Sequence, residues 1–148
     1  MIFQRYYNTH VFPMGLITLM VLTRFHHFGD ALHLPDASLA VFFFAGFYRN
    51  KAFIAFLLAL AGLIDYLAIA NGTSGWCVSP AYVFLIPTYT VLWLAGRYCA
   101  ILAKTELSQQ AYSVRTFSLL VLATTIAFGL SNGSFYLFSD HFYDLTLF

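Results

Sequence analysis

The sequence predicts an all-α integral membrane protein, one domain over residues 1–148, built as a bundle of five transmembrane helices. Three observations carry that prediction. Hydrophobic residues make up 61% of the 148-residue chain and charged residues only 9%, against roughly 45–50% and 25% in ordinary soluble domains. The mean hydropathy is +0.77. The length suits the count, because a bilayer core about 30 Å thick takes about 20 helical residues to cross, so five crossings use about 100 residues. A net charge of +1 offers no electrostatic footprint for nucleic acid. Two cysteines make no disulfide framework.

The first apolar run, Val11 to Thr23, contains Pro13 and is short. No small-x-small cleavage site follows it, only Arg24, Phe25, His26 and His27, so it reads as a retained helix that recruits residues before Val11. The second span opens at Leu34-Pro35-Asp36 and runs through Ala37–Tyr48, since Pro and Asp suit a first helical turn. Arg49-Asn50-Lys51 turns the chain into a third span, Ala52 to Ala70. Asn71-Gly72-Thr73-Ser74-Gly75 breaks it, as Asn/Gly/Ser clusters do. The fourth span covers Val78 to Ala103, with Pro80 near its start and a kink expected at Pro87. A polar stretch, Lys104 to Arg115, leads to the fifth span, Thr116–Leu130, which Asn132 and Gly133 are expected to interrupt before Phe135–Phe138. A sixth, C-terminal helix beyond these 148 residues would turn the odd number of spans into an even one.

Basic residues orient the bundle, because cytoplasmic loops retain Lys and Arg. With the N-terminus in the cytoplasm, Arg5, Arg49, Lys51, Arg97, Lys104 and Arg115 all lie inside and only Arg24 lies outside. The loops Phe25–Leu34 and Asn71–Trp76 and the tail Ser139–Phe148 then face outward.

Asp65 is the acidic residue well inside an apolar span. An isolated carboxylate in lipid is costly, so it faces the bundle or a polar cavity, either as a ligand contact or as an acid hydrogen-bonded to a nearby Tyr or Ser. Cys77 follows Trp76 and a Gly-rich loop at the outer start of the fourth span. A helix start favours the thiolate, which is the nucleophilic and metal-binding form; the other reading is an inert small residue packed on Trp76. Cys99 lies 22 residues further on, about 33 Å along a helix axis, too far for a disulfide with Cys77. His26, His27 and His33 cluster with Asp30 and Asp36 in a spacing that matches no defined zinc pattern. Neither a phosphate-binding glycine loop nor a serine-triad signature is present. Tyr82, Tyr89, Ser131, Asn132 and Ser134 complete a polar, aromatic pocket with Asp65 and Cys77. Such a pocket suits a large amphipathic ligand better than an ion pore, which needs rings of charges or carbonyls.

The segments L-P-D-A-S-L-A-V-F-F at Leu34–Phe43 and G-W-C-V-S-P-A-Y at Gly75–Tyr82, with the intramembrane Asp65 between them, resemble the BtuM family. These are small cobalamin-uptake proteins of the bacterial inner membrane, similar to the S-components of energy-coupling-factor transporters. The resemblance implies that cobalamin (vitamin B12) is the ligand, that Cys77 is the axial ligand of its cobalt, and that the thiolate displaces cyanide from cyanocobalamin. It places Asp65 and Tyr82 at the pocket and lets His26 or His27 close the first loop over the ligand; Trp76 and Asn132, from their positions in the sequence, are the further candidate contacts. S-components have six helices and an Ala-x-x-x-Ala face on the first for docking on energising transporter subunits. The present chain has five apolar runs and no alanine in Met14–Thr23, so an energising partner is left open. A corrinoid supplies four equatorial nitrogens, so a single thiolate suffices as protein ligand, oriented by neighbours such as Trp76 and Tyr82. Two other readings stand beside this one: a membrane thiol–disulfide oxidoreductase using Cys77, and a quinone- or lipid-binding structural subunit.

Overall fold

A computed structural model describes residues 11–27, 36–48, 50–71, 80–105 and 108–138, with backbone alone at 25–27. The described residues form helices and turns without strands. The order is α1 (Phe12–His27), α2 (Ser38–Gly46), α3 (Lys51–Ala70), a 3₁₀ turn (Pro80–Phe84) leading into α4 (Leu85–Leu102), and α5 (Gln109–Phe138). Three segments are long and apolar enough to cross a membrane: Lys51–Ala70, Pro80–Leu102 and Gln109–Phe138.

The third span lies where it is expected. Asn50 caps it by accepting a hydrogen bond from the Ala52 N–H at 2.9 Å, as a short polar side chain does at a helix start. At its far end Asn71 donates to the Leu67 carbonyl at 2.7 Å.

The fourth span also lies where it is expected, at Pro80–Leu102, apart from the geometry near its start; the other three differ, each for a local reason. α1 continues through His27 instead of ending at Thr23, because Arg24 is not a loop residue: it is 4% exposed. α2 is a nine-residue helix, about 14 Å long, well short of a 30 Å core. Its start is fixed by Asp36, which accepts from the Ser38 N–H at 2.9 Å and the Ser38 hydroxyl at 2.6 Å. In α4 the change of geometry comes at Phe84–Leu85, and Pro87 falls in the first α-helical turn, where a missing N–H costs no intrahelical bond. α5 runs unbroken for 30 residues. Asn132 donates to the Phe128 carbonyl at 2.9 Å and Ser134 to the Ser131 carbonyl at 2.9 Å, so polar side chains that were expected to interrupt the helix bond back to its own backbone.

Successive helices alternate in direction. α2 packs most extensively on α4, α1 covers α2 and α3, and α5 lies along α4 and the 3₁₀ turn. The α2–α4 crossing is a backbone contact: a Cβ on Gly96 would sit 1.8 Å from the Phe43 carbonyl oxygen, and one on Gly46 2.2 Å from that of Trp93. Small residues permit this approach between helices. Around it pack Val41, Phe42, Leu57, Leu92 and Cys99, and Phe42 stacks on Tyr89 with centroids 4.3 Å apart. α5 contributes little to this core; its buried residues are Ala123, Ala127 and Ser134, a single narrow stripe.

Candidate functional site

Alternation brings the end of α1, the start of α2, the end of α3 and the start of α4 to one end of the bundle, and a polar network forms there around Arg24. Its Nε donates to Asp65 Oδ1 at 2.7 Å and its Nη2 to Asp65 Oδ2 at 2.5 Å, the two-pronged geometry that suits a guanidinium and a carboxylate. Nη1 faces three acceptors: Tyr89 Oη at 2.8 Å, Ser38 Oγ at 2.9 Å and Asp36 Oδ2 at 3.2 Å. With two hydrogens for three acceptors, the long Asp36 contact is the weakest. The Tyr82 hydroxyl donates to Asp65 Oδ2. Arg24, Ser38, Asp65 and Tyr89 are buried, and Asp36 is partly exposed.

One cation and two carboxylates, held by two tyrosines and a serine, thus join four helices. Burying ions is tolerable here because each finds an opposite charge and further hydrogen bonds. The surplus carboxylate is Asp36, which is partly exposed to solvent.

The two readings of Asp65 meet the geometry differently. Its hydrogen bond from Tyr82 is the expected tyrosine partner; the Arg24 ion pair was not anticipated. The signal was present in the sequence, since a carboxylate inside the membrane requires a partner and Arg24 is the one basic residue outside the positive-inside pattern. Paired inside the bundle, Arg24 is not a free charge on an outer loop.

Tyr89 is buried in the network as an inward-facing residue of α4. Asn132 lies exposed on α5 with its amide on its own helix, and Ser134 is buried nearby. Cys77, Trp76, His33 and Asp30 lie outside the described residues, as do the side chains of His26 and His27. Among the described residues, no group of three or more His, Cys, Asp or Glu could hold a metal ion. Cys99 is fully buried in the core.

The contribution of Tyr82 is measurable. Tyr82→Phe removes a hydroxyl donating to a charged acceptor, and a loss of about 1.5–3 kcal/mol in stability is expected. Tyr66→Phe, at a residue 69% exposed, is expected to change nothing. Thermal unfolding of both variants in one detergent checks this, and equal melting points would remove Tyr82 from the network's energetics.

No family model and no curated protein matches the chain.

Proposed function

We propose that this chain binds cobalamin from the outer side of the bacterial inner membrane and mediates its uptake, with its N-terminus in the cytoplasm and Cys77 as the axial thiolate ligand of cobalt. One observation supports the reading above the others. The three segments that carry the BtuM resemblance, far apart in sequence, meet in space: Asp36 and Ser38 from the first, Asp65, and Tyr82 from the third all belong to the Arg24 network. Tyr82 lies five residues after Cys77 in the sequence, so the segment bearing the thiol leads directly into a fixed point of the bundle. Three helices long and apolar enough to cross a membrane support the membrane part of this reading.

In this reading the thiolate attacks cobalt, cyanide leaves with the electron pair of its cobalt–carbon bond, and the sulfur takes the vacated axial position. The cobalt oxidation state does not change. Asp65, already held by Arg24 and Tyr82, is the residue proposed to lie beneath the ligand. Asn132, Trp76 and the histidines His26 and His27 are the further contacts proposed for the ligand. The thiol–disulfide alternative is the poorer one, because a resolving cysteine must be near and accessible and Cys99 is fully buried.

The experiment is a visible spectrum of protein purified from cells given cyanocobalamin. The wild type is expected to carry a corrinoid with a cobalt–sulfur signature and to have released cyanide. Cys77→Ser is expected to lose both, and Cys99→Ala to keep both. A colourless wild type would refute the assignment, as would a signature that survives Cys77→Ser.

A further inference from the structure

We propose that the end of the bundle opposite Arg24 carries a binding site for an anionic phospholipid, its acyl chain lying on an aromatic groove and its phosphate on Lys51. Phe12 at the start of α1 and Phe44, Phe47 and Tyr48 at the end of α2 line an open groove of about 520 Å³, within the ~300–1,000 Å³ of small-molecule sites. The rings brace one another: Phe12 stacks on Tyr48 at 5.4 Å and meets Phe44 edge-on at 6.5 Å. A surface preformed from rigid rings gives up little side-chain entropy when it is covered. Tyr48 also reaches Phe53 at 6.1 Å, in the first turn of α3, which begins with the exposed Lys51.

Charge is segregated along the bundle. Among the described residues, the two carboxylates, Asp36 and Asp65, both lie at the Arg24 end. Lys51, Lys104 and Arg115 lie at the groove end, all exposed, and the ion pairs among the described residues involve none of them. An apolar trough at the same end as these exposed cations complements a molecule with a long apolar chain and an anionic head. A zwitterionic lipid offers the same chain and phosphate, but its choline cation offsets the attraction to the basic groups at this end. Each basic group near the membrane surface is worth about fivefold in anionic-lipid affinity. This site is independent of the cobalamin reading and of the Arg24 network.

The test uses the full chain, stripped of endogenous lipid in mild detergent and given equimolar dioleoyl-phosphatidylglycerol and dioleoyl-phosphatidylcholine. Retained lipid is counted by native mass spectrometry. Phosphatidylglycerol is expected to be retained about fivefold over phosphatidylcholine. Lys51→Gln is expected to remove most of that preference and Lys51→Arg to preserve it, while Phe44→Ala lowers retention of both lipids. Dihexanoyl-phosphatidylglycerol, with the head but short chains, is expected to be held less. Equal retention of the two dioleoyl lipids, or a preference untouched by Lys51→Gln, would overturn the proposal. So would a dimer of the chain that retains no lipid.

Discussion

Arg24→Leu is expected to lower the stability of the bundle by about 3–5 kcal/mol, the cost of leaving a buried ion without its partner. Arg24 donates to Asp65 through two nitrogens and faces Asp36, Ser38 and Tyr89 with the third, so its removal leaves a 5%-exposed carboxylate with the Tyr82 hydroxyl as its one remaining partner among the described residues. Arg24→Lys keeps the charge but not the planar fork, and an intermediate loss is expected. The informative variant is the double one. Arg24→Leu with Asp65→Leu removes both ions and their desolvation, and it is expected to recover most of the lost stability. Asp65→Asn is expected to behave like the single variants, because a neutral amide offers one acceptor to a guanidinium that had two. Reversible unfolding in mixed micelles gives all four values on one scale. Additive losses in the double variant would mean that the ion pair is not the unit that matters. An Arg24→Leu protein as stable as the wild type would mean that the network contributes nothing to holding the helices.

The second large effect is expected at Gly96. Alanine is ordinarily the better helix former by about 1 kcal/mol, so Gly→Ala in a helix should stabilise where there is room. At Gly96 there is none: a Cβ would lie 1.8 Å from the Phe43 carbonyl oxygen and 2.9 Å from its carbon. These are backbone atoms that no rotamer change can move aside. α2 must then slide away from α4, and Gly96→Ala is expected to lose about 1–3 kcal/mol, with Gly96→Val losing more. Gly62→Ala is the matched control. A Cβ there meets nothing within 4 Å, and a gain of up to about 1 kcal/mol is expected. Opposite signs for the same substitution at two helical glycines would isolate the α2–α4 contact. A gain at Gly96 would show that the two helices do not depend on close approach.

α3 was legible in the sequence because its signals are local: a long apolar run with Asn50 before it and Asn71 after it. Asp65 was legible as an anomaly, since a carboxylate in such a run needs an explanation wherever the chain goes. Its partner was not legible, because Arg24 is 41 residues away in sequence and only the alternation of helices brings the two together. Hydropathy alone treats a charge at a helix end as the start of a loop, which shortened α1. The same logic lengthened α2, whose apolar Phe-rich run was read as a crossing although its helix has nine residues. In α5, Asn132 and Gly133 were read as breakers, yet a polar side chain four residues from a carbonyl satisfies itself within the helix. The Gly46–Gly96 contact left no pattern in either segment, since each glycine is meaningful only beside the other helix.

The span of the Arg24 network has a consequence for biosynthesis. Its members emerge from the ribosome in the order Arg24, Asp36, Ser38, Asp65, Tyr82, Tyr89, and at about 5–20 residues per second Asp65 follows Arg24 by some seconds. During that interval α1 holds a cation whose principal counter-charge does not yet exist. Its long side chain can meanwhile keep the guanidinium at the membrane surface. The ion pair can close only after α3 has been made, and the tyrosines can join only after the start of α4. The tie between four helices therefore closes late in synthesis: chains stalled before Pro80 lack Tyr82 and Tyr89, so the network in them is incomplete.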